Sequence, residues 1–94
     1  MAQPANAFTS LTPGERLRAL RMQLGMSLRD VHEATVNVAK ERDSFEYVIP
    51  RSKLAEIETQ ARVPSLYCLE ALSRVYGVAL NVLLAWFGIS SLNV

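Results

Sequence analysis

The stretch TPGERLRALRMQLGMSLRDV, residues 12–31, decides the fold. Thr12 is a good N-cap, Pro13 suits the first helical position, and Glu15 stands where a capping box requires an acid. Leu17, Leu20 and Leu24 then recur on one face while Arg16, Arg18 and Gln23 point elsewhere, the spacing of an amphipathic helix. Gly25 supplies a left-handed stop. Just beyond it, Ser27 and Asp30 form a second capping box and open a helix with Leu28, Val31 and Thr35 on its inner side. So little chain separates the two helices that they must pack as neighbours.

Downstream, Val38 and Ala39 continue the apolar period, and Lys40-Glu41-Arg42-Asp43 suits a solvated face, so helix two runs to about Arg42. Ser44 to Ile49 returns as a loop, with Phe45, Tyr47 and Ile49 as its expected anchors. Pro50 opens a third helix, where its fixed φ and missing donor cost little. Leu54, Ile57 and Ala61 face inward there, leaving Arg51, Ser52, Lys53 and Glu56 outside. Thr59 to Val63 reads as a connector. Pro64-Ser65 caps a fourth helix with the stripe Leu66, Leu69, Leu72, Val75 and Tyr76, ended by Gly77. A fifth runs from about Leu80 to Phe87 and is apolar almost all round. Upstream, Met1 to Leu11 has no helical period and reads as a mobile arm. It carries no Arg or Lys, which arms that reach into DNA use. The expected organisation is a flexible arm at 1–11, one helical domain at 12–88 and a tail at 89–94.

The 94 residues fit one domain, large enough to bury a core without disulfide or metal staples. The lone Cys68 excludes an internal disulfide framework and reads as a small core residue, as a reducing cytoplasm would allow. No basic and apolar leader is visible, and the apolar run from Val75 to Ile89 is broken by Asn81, short of a membrane span of roughly 20 residues. A soluble, cytoplasmic protein is expected. Catalysis finds no footing: one histidine, no phosphate-binding glycine loop and no cluster at metal-ligand spacing. His32 reads as a helix-surface residue. Glu56 and Glu58, two apart on a helix, point to different sides. Neither cofactor, metal nor small-molecule ligand is called for. Ten basic against nine acidic residues lend nucleic-acid binding no support by net charge; only clustering of the cations on one face would.

Over about three quarters of its length the chain resembles the phage-repressor and Cro-type helix-turn-helix domains, the XRE-like or lambda-repressor-like family. The matching residues are Gly14, Leu17, Leu20-Arg21, Leu24-Gly25-Met26-Ser27-Leu28 and Val31, then Ser52, Leu54, Ile57-Glu58 and Pro64-Ser65, and finally Leu69, Leu72, Val75, Gly77-Val78 and Leu83-Leu84. The resemblance implies an all-α, compact five-helix bundle that places its third helix in the major groove of duplex DNA. The chain departs from the pattern between helices two and three. Val36 to Ile49 adds roughly ten residues to a turn that needs three or four. This enlarged connection reads either as a packed spacer or as an element that touches DNA or a partner.

Carried over residue by residue, the resemblance assigns base contacts to Arg51, Ser52 and Lys53, with Glu56 one turn on. It assigns phosphate contacts to Leu28 and Arg29 at the start of helix two, and to Thr59, Gln60 and Arg62 beyond helix three. Arg21 and Glu58 fall on positions that in relatives form an ion pair between helices one and three, a structural role. A fifth helix apolar on every side makes Trp86, Phe87, Ile89 and Leu92 candidates for a homodimer interface, with folding back onto their own domain as the other reading. The function implied is sequence-specific binding of double-stranded DNA by a dimeric transcriptional regulator. The alternative is a protein-interaction module on the same frame that does not bind DNA.

Overall fold

A computed structural model describes residues 11–60 and 62–89. Those residues form five α-helices and no strand: α1 (Pro13–Gln23), α2 (Leu28–Arg42), α3 (Arg51–Thr59), α4 (Leu66–Tyr76) and α5 (Leu80–Trp86), with a single 3-10 turn at Phe45–Tyr47. The fold is an all-α bundle. Met1–Ser10, Ala61 and Leu92 lie outside the described residues, as do the expectations for them.

The ends of the helices follow from local chemistry. Both expected capping boxes form: the Thr12 hydroxyl accepts from Glu15 N–H while Glu15 accepts from Thr12 N–H, and Ser27 and Asp30 repeat the exchange. The Ser27 bonds hold the Asp30 carboxyl below the usual carboxylate range. Gly25, at φ 71°, stops α1, with Met26 N–H reaching back to Arg21 O. Where α2 ends the sequence offers no glycine. Asp43 takes the left-handed conformation instead, at φ 54° and ψ 45°, and Ser44 N–H closes on Ala39 O. Pro50 stands one position earlier than expected, as the N-cap of α3 in extended geometry.

The core joins Leu17, Val31, Val38, Leu54, Ile57, Leu69, Leu72 and Leu83 with the loop residues Tyr47 and Ile49. Cys68 is buried among them and unpaired. α2 is the central strut, touching α3, α4 and the 3-10 turn, while α1 packs on α3 and α5 on α4. Full burial of each such side chain contributes roughly 1.5–3 kcal/mol. Three expected core positions are instead on the surface. Leu24 and Leu66 stand at helix ends, where the apolar stripe runs past the edge of the core. Phe45 lies on the outer side of the 3-10 turn and is 92% exposed, so Tyr47 and Ile49, with Val48 half-buried between them, anchor the excursion.

Gly14 marks the tightest crossing. A Cβ built there would lie 2.5 Å from both the Ile57 and the Glu58 carbonyl oxygens, which belong to the backbone of α3. The first turn of α1 can approach α3 this closely only without a side chain. Gly14→Ala is therefore expected to force the helices apart and lower stability by about 2 kcal/mol in urea unfolding. A variant as stable as the parent would contradict the close crossing.

Candidate nucleic-acid interface

α3 is held at both ends. At its C-terminal end Glu58 is buried and pairs with Arg21 of α1 in a two-pronged geometry, Nε to Oε2 at 2.7 Å and Nη2 to Oε1 at 3.0 Å. The remaining Arg21 Nη1 donates to Met26 O in the α1–α2 turn at 2.9 Å. Glu58 raises the Arg21 pKa further above its ordinary value, and burial pushes the neighbouring Tyr76 phenol far upward. The ion pair expected from the resemblance thus links α1, the α1–α2 turn and α3.

At the N-terminal end, α2 grips the residue just ahead of Pro50. Thr35, fully buried, accepts from Ile49 N–H at 3.0 Å and donates its own hydroxyl hydrogen to His32 O at 2.7 Å. His32 Nδ1–H donates to Ile49 O at 2.9 Å, so the ring is a half-buried clamp on the loop, not the helix-surface residue expected. The excursion is also tied to α4. Tyr47 donates to Glu70 at 3.2 Å, and Arg42 reaches the same carboxylate at 2.6 Å while lying over the Tyr47 ring. Tyr67 meets Tyr47 edge to face with centroids 5.2 Å apart. A hydrogen bond to Glu46 raises the Tyr67 pKa.

Between these fixed ends, Arg51, Ser52, Lys53 and Glu56 all stand on the exposed side of α3. No side chain caps this helix, in contrast to α1, α2 and α4. Among the described residues no carboxylate pairs with Arg51 or Lys53. Lys53, Glu56 and Arg62 line one groove of about 280 Å³ with Val63, Pro64 and Ser65, which brings the face of α3 and its connector to α4 together. Arg62 is loosely paired with Glu56 at 3.9 Å, an exposed contact of little strength. Thr59 is exposed but donates to Ala55 O at 2.8 Å, and Gln60 is exposed beside it. At the start of α2, Leu28 packs its side chain against the core, whereas Arg29 is exposed and 3.3 Å from Glu33.

The match to known families falls on this scaffold. The sequence matches the family described as Helix-turn-helix domain over residues 14–86. The chain belongs to that family. Comparison with curated proteins and with solved structures gives no match. Membership supports DNA binding by a regulator. The helix-turn-helix frame leaves α5 against its own domain. Trp86, Phe87 and Ile89 are partly buried on the core, and the Arg16 guanidinium lies 5.7 Å from the Trp86 ring centre. Among the described residues there is no group of three or more metal-ligating side chains, and no helix is long and apolar enough to cross a membrane.

Sequence reasoning missed His32 and Thr35 as positioning residues, because their partner is the backbone of a residue far along the chain. Thr35→Val preserves shape but orphans the buried Ile49 N–H. Its expected cost is about 2 kcal/mol of unfolding free energy, read from the chemical denaturation midpoint. An unchanged midpoint would mean that Ile49 N–H finds another partner and that the clamp does not set the start of α3.

Proposed function

We propose that the chain is a sequence-specific double-stranded DNA-binding regulator of the phage-repressor and Cro (XRE) type, which inserts the start of α3 into the major groove. The observation that carries this reading is the pair Arg51 and Lys53, exposed and without carboxylate partners among the described residues, on a helix braced at both ends. Guanidinium or ammonium groups recognise guanine O6 and N7, and Ser52 accepts or donates to several bases. Glu56, one turn on, reads a cytosine amino group or is held back by Arg62. Arg29, Gln60, Thr59 and Arg62, with the backbone N–H of Leu28, supply phosphate contacts that set register without reading sequence. Exposed ion pairs contribute little, so turning Arg29 or Arg62 from its glutamate to a phosphate costs about 1 kcal/mol or less.

Two copies on a palindromic operator would present their α3 helices about 34 Å apart. Trp86, Phe87, Ile89 and Leu92 are one candidate face for that homodimer. A second functional reading, a protein-interaction module, draws support from the near-neutral charge and from the pairing of Arg29 and Arg62 with glutamates.

Selection from random duplexes followed by binding titration separates the two. A preferred site is expected, with Arg51→Ala and Lys53→Ala each losing roughly 1–3 kcal/mol and relaxing preference at one base pair. Affinity is expected to fall steeply with salt, and Arg62→Ala to reduce the salt slope by about one. No enrichment of any site, or sequence preference unchanged in both α3 variants, would reject the DNA reading in favour of the protein-interaction one.

A further inference from the structure

The enlarged α2–α3 connection carries a second surface that shares no residue with the α3 groove. An apolar cleft of about 270 Å³ opens between the last turns of α2 and the loop, lined by Val36, Ala39, Phe45 and Val48 together with Lys40 and Asp43. Phe45 forms part of the wall of this cleft. Its ring is 92% exposed. A large apolar knob and an apolar hole therefore lie side by side on one face. Lys40 and Asp43 are exposed, and among the described residues neither has an ion-pair partner.

We propose that this face binds a second copy of the same chain about a two-fold axis. Phe45 of each copy fills the cleft of the other, and Lys40 of each pairs with Asp43 of the other. Only self-association uses every one of these features together. A two-fold contact brings residue i against j and j against i, so a face that carries knob beside hole and cation beside anion is complementary to itself. A polyanion or an acidic surface would be opposed by Asp43, and a basic one by Lys40. Each phenylalanine buries roughly 200 Å² and covers a similar area of its partner, so the two contacts remove about 800 Å² in total, the scale of a weak, reversible association. Two half-sites on one duplex would raise its effective concentration, but the contact itself needs no DNA.

Sedimentation of the full chain without DNA tests this independently of the DNA reading. A concentration-dependent monomer–dimer equilibrium is expected below about 1 mM. Phe45→Glu should weaken it at least about tenfold while leaving the unfolding midpoint unchanged, since the residue is 92% exposed. Lys40→Glu and Asp43→Lys should each weaken association by placing like charges together at both cross-contacts. An equimolar mixture of those two variants should associate better than either alone, because in the mixed dimer both contacts pair opposite charges. Asp43→Asn, which keeps a residue tolerant of the left-handed conformation, serves if the lysine variant loses its helical circular dichroism, and should then weaken association without the mutual rescue. A chain that stays monomeric to about 1 mM would overturn the proposal. So would a dimer that survives Phe45→Glu, which would move the contact elsewhere, such as to α5 around Val82, or a mixture no better than its components.

Discussion

The fold depends on a buried carboxylate. Glu58 would be costly in the interior without a partner, and Arg21 meets both of its oxygens while its Nη1 donates to Met26 O. Three segments are fixed by one guanidinium: α1, the turn after it, and the end of α3. Gly14 stands against the same stretch, where the α3 backbone carbonyls of Ile57 and Glu58 come within a distance no side chain allows. A buried ion pair is weak evidence for net stability against a hydrophobic replacement, but removing one half leaves an uncompensated charge. Its role here is positional. It sets the angle at which α3 leaves the bundle, while the Thr35–His32 clamp on Ile49 sets where α3 begins.

That bracing explains how a nearly neutral chain can carry a cationic reading head. Most of the observed pairs tie a surface arginine to a glutamate: Arg29 to Glu33, Arg42 to Glu70, Arg62 to Glu56 and Arg74 to Glu41. The formal balance of +1 averages over these pairs and hides the place where cations stand without acids. Arg51 and Lys53 occupy such a place, on the first turn of a helix tied down at both ends. The enlarged connection does not cover them. It folds toward α2 and α4, where Tyr47, Arg42 and Glu70 lock together, and leaves Phe45 pointing away.

Much of this was legible in the sequence because it is local. Thr12–Glu15 and Ser27–Asp30 announce helix starts through side chains that satisfy their own backbone, and these bonds form without help from the rest of the fold. Arg21 and Glu58 were legible only through family likeness, since nothing in their spacing predicts a contact across 37 positions. What escaped depends on which way a side chain turns or on a distant backbone group. Phe45 read as an anchor by its chemistry, and Leu24 and Leu66 read as core by period, yet all three stand outside it. His32 looked like a surface residue because its partner is a carbonyl far along the chain. α5 looked apolar on every side; the bundle covers Leu83 and Leu84 fully and Trp86, Phe87 and Ile89 in part, leaving Val82 outward.

The most direct test of the bracing is a double-mutant cycle at Arg21 and Glu58, read by chemical denaturation. Arg21→Met and Glu58→Gln should each cost on the order of 3 kcal/mol, with the double variant losing far less than their sum, a coupling of about 2 kcal/mol. Losses that simply add would contradict the account, because they would mean that the two groups stabilise the fold separately and that α3 owes its position to something else.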